Sequence, residues 1–268
     1  MENTSYNKPS RLRIKLITMG ETEVGKSCVV KRYCERRFVH KYLTTIGIDY
    51  GVTKVQIKNR DVRLNIFDMA GHPMFYEVRN EFYRDAQGAL LVFDLSRRCT
   101  FDCLDQWLIE MKNEMTNTKD ANNMVVCVCG NKVDKRRVVN ELEGRLWADS
   151  HGFHYFETSA QTGEGIVEMF NTLLGDIVAT IENGGTKIPL DTQLGFTKDQ
   201  VDLIHRLKNA KYDHEQLGVN PNAVKEDINK AYRRLAVLLH PDKNIAPGSE
   251  EAFKILVAAR SSMLKRCL

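Results

Sequence analysis

"GETEVGKS", from Gly20 to Ser27, is the stretch that decides the fold. It fits the pattern G-x-x-x-x-G-K-S, it follows the apolar run "RIKLITM", and helical spacing begins at Lys26. A strand, a glycine-rich turn and a helix in this order place backbone amides and a helix N-terminus around an anion. The Lys26 ammonium would meet the outer phosphates of a nucleotide, and the Ser27 hydroxyl could ligate Mg²⁺. The sequence therefore predicts a phosphate-binding loop.

Short apolar runs alternate with amphipathic stretches on both sides of this loop, from about Leu12 to Glu182. "IDYGVTKVQI" and "VRLNIFD" read as paired strands around the turn "KNRD", and "GALLVFDL", "MVVCVCG" and "HYFETSA" read as buried strands. Helical patterns cover 101–115, 138–151 and 164–181. Strand and helix in alternation predict an α/β fold, a doubly wound and mostly parallel sheet covered on both faces.

Two further motifs follow the carboxyl ends of predicted strands, where open α/β sheets bind ligands. They are "NKVD", from Asn131 to Asp134, and "TSA", from Thr158 to Ala160. A carboxylate such as Asp134 can accept two hydrogen bonds from the N1–H and amino groups of guanine, whereas adenine offers no such edge. The pattern therefore favours a guanine nucleotide.

The order GxxxxGKS, Thr, DxxG, NKxD and SA resembles the small GTPases of the Ras superfamily, the Rab branch in particular, over roughly Leu12–Glu182. The resemblance implies GTP or GDP as ligand together with Mg²⁺. It implies two switch segments, Phe38–Tyr50 and Asp68–Tyr83, which the third phosphate orders, with Tyr42 as a mobile lid. By position it implies these nucleotide contacts: Gly20, Glu23, Val24, Gly25, Lys26, Ser27, Cys28, Phe38, Thr45, Asp68, Gly71, Asn131, Lys132, Asp134, Ser159 and Ala160. It further implies Ser27, Thr45 and Asp68 as Mg²⁺ ligands, and Lys26, Thr45 and His72 as catalytic residues.

Three positions depart from the pattern of that family. His72, in "DMAGHPMF", replaces the glutamine that orients the attacking water, and an imidazole is shorter. Glu23 stands where the family usually has glycine, so a carboxylate lies near the phosphates unless it points outward. Thr22 adds bulk where an arginine finger would approach. We predict strong GTP binding with poor hydrolysis; the alternative is that histidine is merely tolerated in a mobile loop.

After the glycine- and proline-containing stretch "NGGTKIPLDTQLG" the pattern becomes purely helical. "AVKEDINKAYRRLAVLLHPDKN" predicts an amphipathic helix with Lys230, Arg233 and Arg234 on one face, and a second helix starts near Ser249. The two would form a small all-α antiparallel hairpin.

This hairpin resembles the J domain of the DnaJ (Hsp40) family, over about Tyr212–Lys265. The resemblance implies an Hsp70-type chaperone as partner. The basic helix would dock on Hsp70 and the tripeptide that follows would stimulate ATP hydrolysis, which assigns Lys230, Arg233, Arg234, His240, Pro241 and Asp242. The expected organisation is a flexible tail at 1–11, a Rab-like GTP-binding domain at 12–183, a linker with a connecting helix at 184–211, and a J domain at 212–268 without a fourth helix.

Charge and cysteine content limit the compartment and the partners. The net charge is +4, and the excess lies after Thr197, with 13 Lys and Arg against 9 Asp and Glu. This excess is too small to suggest nucleic acid. Seven cysteines without CxxC pairing fit a reducing, cytoplasmic location, and the basic cluster at 135–137 is too short to settle nuclear entry. Cys267 does not meet a prenylation pattern and residue 2 is Glu2, so no stable lipid anchor is expected.

Three functions are compatible with these patterns. The first is a GTP-controlled switch that recruits Hsp70 to a bound effector. The second is an ordinary slow GTPase whose helical tail is only a partner-binding bundle. The third is a scaffold that holds GTP without turnover and binds signalling proteins through its switches.

Overall fold

The structure is a computed structural model that describes residues 12–41, 43–115, 123–186, 196–240, 244, 246 and 248–266. The predicted tail at 1–11 lies outside these ranges, and so do five residues named above: Glu2, Tyr42, Pro241, Asp242 and Cys267. The chain divides into two compact units, Met1–Leu190 and Asp191–Leu268, called the sheet unit and the helical unit below.

The sheet unit is built on six strands in the spatial order β2-β3-β1-β4-β5-β6. The strands are β1 Leu12–Met19, β2 Ile48–Ile57, β3 Arg60–Met69, β4 Gly88–Asp94, β5 Val125–Asn131 and β6 His154–Thr158. β2 runs antiparallel to β3, and every other neighbouring pair is parallel. The predicted mostly parallel sheet is therefore confirmed, and the chain order of its parallel strands places the loops after β1, β4, β5 and β6 at one edge.

Helices cover both faces of this sheet. They are α1 Lys26–Glu35, α2 Tyr76–Arg79, α3 Arg98–Asp102, α4 Leu104–Met115, α5 Glu141–Ser150 and α6 Ile166–Glu182, with 3₁₀ turns at Pro73–Phe75 and Asn80–Phe82. One apolar layer joins the sheet to α1 and α6, and a second joins it to α4 and α5. Two buried faces explain why the central strands β4 and β5 carry no polar side chain before their last residues, Asp94 and Asn131.

Two helices differ from their predicted extent. The helix predicted at 101–115 is divided at Cys103 into α3 and α4. The helix predicted to start at Val138 starts at Glu141 instead, because the Asn140 side chain accepts a hydrogen bond from the Leu142 amide, 2.9 Å away, and caps the first turn.

The helical unit contains α7 Lys198–Asn209, α8 Asp213–Leu217, α9 Lys225–Leu239 and α10 Ser249–Arg266. α9 and α10 pack together as the predicted hairpin, with Leu235, Leu239 and Leu256 buried between them. α7 lies in the segment expected to be a linker and connecting helix, and it packs against α8, α9 and α10. Among the helices described, none has both the length and the apolar character needed to cross a bilayer.

Candidate nucleotide site

The phosphate loop, Gly20–Ser27, connects β1 to α1 and its shape depends on two glycines. Gly20 has φ 131° and Gly25 has φ 100°, values that side-chain-bearing residues rarely adopt. A Cβ on Gly20 would lie 2.0 Å from the Val92 carbonyl oxygen, and one on Gly25 would lie 2.4 Å from Asn131 Nδ2. The loop is therefore pressed against β4 and β5, and only glycine fits at these two positions.

Lys26 closes the phosphate loop from inside. Its Nζ donates hydrogen bonds to the carbonyl oxygens of Gly20, at 2.7 Å, and Glu21, at 2.8 Å. Burial lowers the pKa of Lys26 to about 8, an effect that the nearby Asp68 carboxylate opposes. A buried cation satisfied by loop carbonyls is placed to exchange those partners for phosphate oxygens.

Three oxygen-bearing side chains meet beside Lys26. Ser27 Oγ donates to Asp68 Oδ2 at 2.5 Å and lies 3.0 Å from Thr45 Oγ1. The other carboxylate oxygen of Asp68 accepts from Thr18 Oγ1 at 2.9 Å. Burial raises the pKa of the Asp68 carboxyl, and the hydrogen bonds from Ser27 and Thr18 oppose that rise.

Hydroxyl and carboxylate oxygens are the hard ligands that Mg²⁺ accepts, so Ser27, Thr45 and Asp68 fit this ion. The described residues contain no group of three or more His, Cys, Asp or Glu side chains that could hold a metal. A Mg²⁺ site here would therefore rely on hydroxyls, on one carboxylate and on phosphate oxygens from the nucleotide.

The base-binding loops are tied to the phosphate loop through one buried amide. Asn131 Nδ2 donates to the Val24 carbonyl oxygen at 2.9 Å, and Asn131 Oδ1 accepts from the Ala160 amide at 3.2 Å. Ser159 Oγ donates to Asp134 Oδ1 at 2.5 Å, which fixes the orientation of that carboxylate. The loops after β1, β5 and β6 thus form one hydrogen-bonded assembly.

A cavity of about 450 Å³ lies between these loops. Most of the predicted contacts line it, namely Glu23, Gly25, Lys26, Ser27, Cys28, Phe38, Thr45, Gly71, Asn131, Lys132, Asp134 and Ala160. The other predicted contacts, Gly20, Val24, Asp68 and Ser159, support that wall through the hydrogen bonds above. Three lysines also line the cavity, although no motif had marked them as nucleotide contacts: Lys31, Lys41 and Lys135.

His72 lines the cavity, but its ring is engaged in a local hydrogen bond. Its Nδ1 accepts from the Met74 amide at 3.1 Å and caps the 3₁₀ turn that starts at Pro73. His72 itself is extended, with φ −78° and ψ 135°, as expected for a residue before proline. Because Nδ1 is an acceptor here, the neutral ring has only an Nε2–H donor to offer to other groups.

The Glu23 side chain points to Arg97, which sequence reasoning did not single out. Glu23 Oε2 lies 3.3 Å from Arg97 Nη1, and Arg97 Nη2 donates to the Thr22 carbonyl oxygen at 2.6 Å. Lys132 Nζ donates to the Glu23 carbonyl oxygen at 2.5 Å and pairs with Asp94 at 2.7 Å. Glu23 has φ 64°, in the left-handed region that glycine adopts more readily than other residues. The contacts from Arg97 and Lys132 hold Glu23 in this conformation.

The predicted Hsp70-contact residues of the helical unit lie partly within the described ranges. Lys230, Arg233 and Arg234 are exposed on α9, and His240 is exposed just after it. Pro241 and Asp242 lie outside the described residues. Asn244, which the sequence did not single out, is buried, and its Nδ2 donates to the Leu238 carbonyl oxygen at 2.9 Å.

The fold and the site define a P-loop nucleotide-binding domain: a glycine-shaped phosphate loop and two base-binding loops border one cavity at the carboxyl edge of a parallel sheet. Residues 15–179 match the model of the Ras family, and the chain belongs to this family. Residues 213–265 match the DnaJ domain. The predicted resemblance to a small GTPase joined to a J domain is thus confirmed.

Relatives match over nearly the whole chain. A DnaJ homolog subfamily C member 27 from Danio rerio is 61% identical over 261 residues, which are 97% of this chain and 95% of that protein. The proteins of the same name from Gallus gallus and Homo sapiens are 60% and 59% identical and cover 98% and 96% of this chain, respectively. The matched regions also cover 98% and 96% of the lengths of those two proteins. The chain therefore joins a guanine-nucleotide switch domain to a co-chaperone domain.

Proposed function

We propose that this protein is a GTP-controlled switch that binds an effector in its GTP-bound form and brings Hsp70 to it. The switches are Phe38–Tyr50 and Asp68–Tyr83, and the J domain stimulates ATP hydrolysis by Hsp70. The observation that carries this proposal is the assembly of Asn131, Val24 and Ala160, which joins the phosphate loop and the base-binding loops around one cavity.

The position of Thr45 supports control by the third phosphate. Thr45 belongs to the first switch, and its hydroxyl lies 3.0 Å from that of Ser27 at the end of the phosphate loop. A Mg²⁺ ion held by both hydroxyls would connect the switch to the phosphates, which is how a lost phosphate releases such a segment. Exposed apolar side chains such as Leu43 and Ile46 in the same segment offer a surface to a partner.

Nucleotide choice is tested by measuring GDP, GTP, ADP and ATP binding to the Mg²⁺-loaded full chain. We expect at least a hundredfold preference for guanine, about 2.7 kcal/mol, because Asp134 would pair with an edge that adenine lacks. Asp134→Ala should abolish the preference, and Asp61→Ala, an exposed carboxylate at the start of β3, should preserve it. Equal binding of guanine and adenine nucleotides would reject the proposal.

Hsp70 stimulation is tested with the ATPase rate of an Hsp70 mixed with the full chain. The exposed cations of α9 and the adjacent exposed His240 support this part of the proposal. His240→Gln should remove stimulation, and His205→Gln, an exposed histidine on α7, should retain it. No stimulation by the wild-type chain would leave the helical unit as a partner-binding bundle only, and undiminished stimulation by His240→Gln would contradict the role proposed for His240.

A second candidate function is a scaffold that holds GTP without turnover. The hydrogen bond from the Met74 amide to His72 Nδ1 favours it, because a ring used in this way lacks a free acceptor for water. Single-turnover hydrolysis separates the two functions, whereas capture of partners only in the GTP form is expected of both. No hydrolysis at all would favour the scaffold.

The chemistry of the cysteines supports a cytoplasmic location. The six cysteines within the described ranges, Cys28, Cys34, Cys99, Cys103, Cys127 and Cys129, are all free thiols. Burial raises the pKa of the Cys129 thiol to about 12, and burial also raises the pKa of the Cys127 thiol. Fractionation of cells that express the tagged full chain tests the location and measures the nuclear share; recovery from a secretory compartment would contradict it.

A further inference from the structure

Helix α7 lies outside the part of the chain that matches the DnaJ domain, yet it belongs to the core of the helical unit. The match starts at residue 213, whereas α7 spans Lys198–Asn209. Gln216 of α8 donates from Nε2 to the carbonyl oxygens of Leu207, at 3.4 Å, and Ala210, at 3.3 Å. The buried apolar residues of α7 are Val201, Leu203, Ile204 and Leu207. The helical unit therefore contains a helix that the domain match does not include.

The first turn of α7 reaches the end of α9. Gln200 Oε1 accepts a hydrogen bond from the Thr197 amide at 2.7 Å, and Gln200 Nε2 donates to the Leu238 carbonyl oxygen at 3.2 Å. The last carbonyl groups of a helix have no partner within that helix, and Leu238 is the residue before the end of α9. One amide side chain thus closes the start of α7 and bonds to the end of α9, two residues before His240.

Asn244 binds the same carbonyl group from beyond the tripeptide in the chain. Only 2% of this residue is exposed. Its Nδ2 donates to the Leu238 carbonyl oxygen at 2.9 Å, and its backbone amide donates to the His240 carbonyl oxygen at 2.9 Å. Its Oδ1 accepts from the Ala246 amide at 2.9 Å, and its carbonyl oxygen accepts from Ser249 Oγ at 3.0 Å. The end of α9 and the start of α10 are thus joined through Asn244, and α7 enters this network at the Leu238 carbonyl group.

α7 also lies against the start of α10. Lys208 Nζ pairs with Glu251 Oε2 at 2.5 Å. A Cβ on Gly248 would lie 2.7 Å from Lys208 Nζ and 3.6 Å from Ile204 Cγ2. Because of these contacts, α7 borders the segment that carries the tripeptide at both of its ends, at Leu238 and at Gly248.

We propose that α7 is an integral part of the unit that acts on Hsp70, and that Gln200 is a positioning residue that holds the end of α9 and thereby the orientation of His240. The inference rests on the proposed function, which assigns His240 to the stimulation of Hsp70. It goes beyond that function because it gives a residue outside the DnaJ match a part in the activity. Gln200 acts through Leu238 and needs no contact with Hsp70.

The physical reason is the position of His240 directly after a helix end. The last turn of a helix frays unless its carbonyl groups are bonded, and His240 is exposed. A residue that acts on a partner must be held in one geometry by its supporting groups. The basic residues of α9 lie at least one full turn before Leu238, so a change at Gln200 should leave them in place. Loss of the Gln200 bond should therefore weaken the effect of each bound chain on Hsp70 and not the binding itself.

Titration of an Hsp70 with the full chain, with the ATPase rate as readout, tests the proposal. Gln200→Glu removes the donor to Leu238, whereas a glutamate at this position can still complete the capping box with Thr197. We expect the maximal stimulation to fall by at least about twofold, the smallest factor by which a neutral hydrogen bond typically shifts an equilibrium, while the half-maximal concentration changes by less than about 1.5-fold. A smaller fall in the maximum would overturn the proposal. A raised half-maximal concentration with an unchanged maximum, as expected when fewer chains are folded, would overturn it too.

Gln216→Glu is the matched control, because it removes the same kind of donor at the opposite end of α7, next to Leu207 and Ala210. This variant should retain the wild-type maximum. A loss equal to that of Gln200→Glu would show that any weakening of α7 has this effect, and the specific role of Gln200 would be rejected. Gln200→Met, of similar length and without a donor, provides a second variant if Gln200→Glu does not fold, and the same criterion applies to it.

A second readout separates this role from the proposed function. If the wild-type chain does not stimulate Hsp70, the proposed function fails. The role of Gln200 is then decided by exchange of the Asn244 and Ala246 amides, which donate to the His240 carbonyl oxygen and to Asn244 Oδ1, respectively. Exchange of both amides at least about twofold faster in Gln200→Glu, with wild-type rates in Gln216→Glu, supports the positioning role, and equal rates in all three chains overturn it.

Discussion

The His72 ring shows how one local hydrogen bond can limit a reaction. A residue that orients the attacking water must accept a hydrogen bond from it, and the glutamine amide in this position has a carbonyl oxygen for that purpose. In this protein the Met74 amide occupies Nδ1 of His72. The neutral ring can then donate from Nε2 but has no acceptor left for water.

We therefore expect His72→Gln to raise the single-turnover rate of GTP hydrolysis by about tenfold, or about 1.4 kcal/mol in the barrier. The extended backbone before Pro73 accommodates glutamine, so the loop should keep its shape. Rapid mixing of the GTP-loaded full chain with Mg²⁺ measures the rate, and His214→Gln in the helical unit serves as control. A wild-type rate equal to that of ordinary small GTPases, unchanged or lowered in His72→Gln, would contradict the role assigned to this ring.

Arg97 and Glu23 offer a second test at the level of single residues. The pair keeps the Glu23 carboxylate beside Arg97, although side-chain exposures of 36% and 55% make the interaction moderate. Arg97→Ala should speed GDP release by about two- to fivefold, because the carboxylate is then free to repel phosphate. Release is followed with a fluorescent GDP analogue.

Glu23→Gln provides the matched control for this effect. It should release GDP at the wild-type rate and should suppress most of the effect of Arg97→Ala in the double variant. Equal effects of Arg97→Ala with and without Glu23 would show that only the bond to the Thr22 carbonyl oxygen matters.

The contacts of these residues also show which parts of the site can be predicted from a sequence. Asn131 belongs to a short motif whose spacing is local, and the resemblance implied it as a nucleotide contact. Arg97 lies outside any motif, and its pairing with Glu23 joins positions 74 residues apart. Arg79 and Glu110 are separated by 31 residues and meet only because α2 packs near α4. Such pairs depend on tertiary structure, and no local pattern indicates them.

Among the elements, α7 has a larger structural role than the connecting helix that was predicted from the sequence. Its start has the reciprocal bonds of a capping box, between Thr197 and Gln200, and Gln200 Nε2 also donates to the Leu238 carbonyl oxygen at 3.2 Å. Four apolar residues of the helix are buried in the helical unit: Val201, Leu203, Ile204 and Leu207. The sequence predicted only a connecting helix within 184–211, and it could not tell which surface that helix would cover.

We expect Leu207→Ala to destabilise the helical unit by about 2–5 kcal/mol, because the leucine is fully buried and its removal leaves a cavity. Thermal unfolding of the full chain, with exchange of α9 and α10 peptides as the local readout, measures the loss. Val237→Ala is the matched control, since Val237 is 64% exposed on α9. An unchanged helical unit in Leu207→Ala would mean that α7 is a connector and not part of its core.

The strands were easier to predict than the helix boundaries. Continuous apolar runs identified β4 and β5 because both faces of a central parallel strand are buried. Helix ends depend on single capping contacts, such as the bond from the Leu142 amide to Asn140, and periodicity does not contain them.

For the whole molecule, the decisive feature is that each unit has an apolar core of its own. The sheet unit is built on the two layers around β1, β4 and β5, and the helical unit on the side chains shared by α7, α9 and α10. The phosphate loop, the base-binding loops and the candidate Mg²⁺ ligands all belong to the sheet unit. A ligand that binds only the folded sheet unit should therefore stabilise that unit alone.

We accordingly expect two unfolding transitions in the full chain, of which only one responds to GDP and Mg²⁺. At a thousandfold excess over the dissociation constant the ligand contributes about 4 kcal/mol, which raises the midpoint of a unit of this size by about 10 °C. Chelation of Mg²⁺ should reverse part of that rise, and Ser27→Ala should weaken the response to Mg²⁺ because one of the candidate ligands is lost. Exchange peptides from α6 and α10 assign each transition to its unit. If both transitions moved together with nucleotide, the helical unit would have to be coupled to the occupied cavity, and its activity toward Hsp70 would then depend on the bound nucleotide by the same linkage.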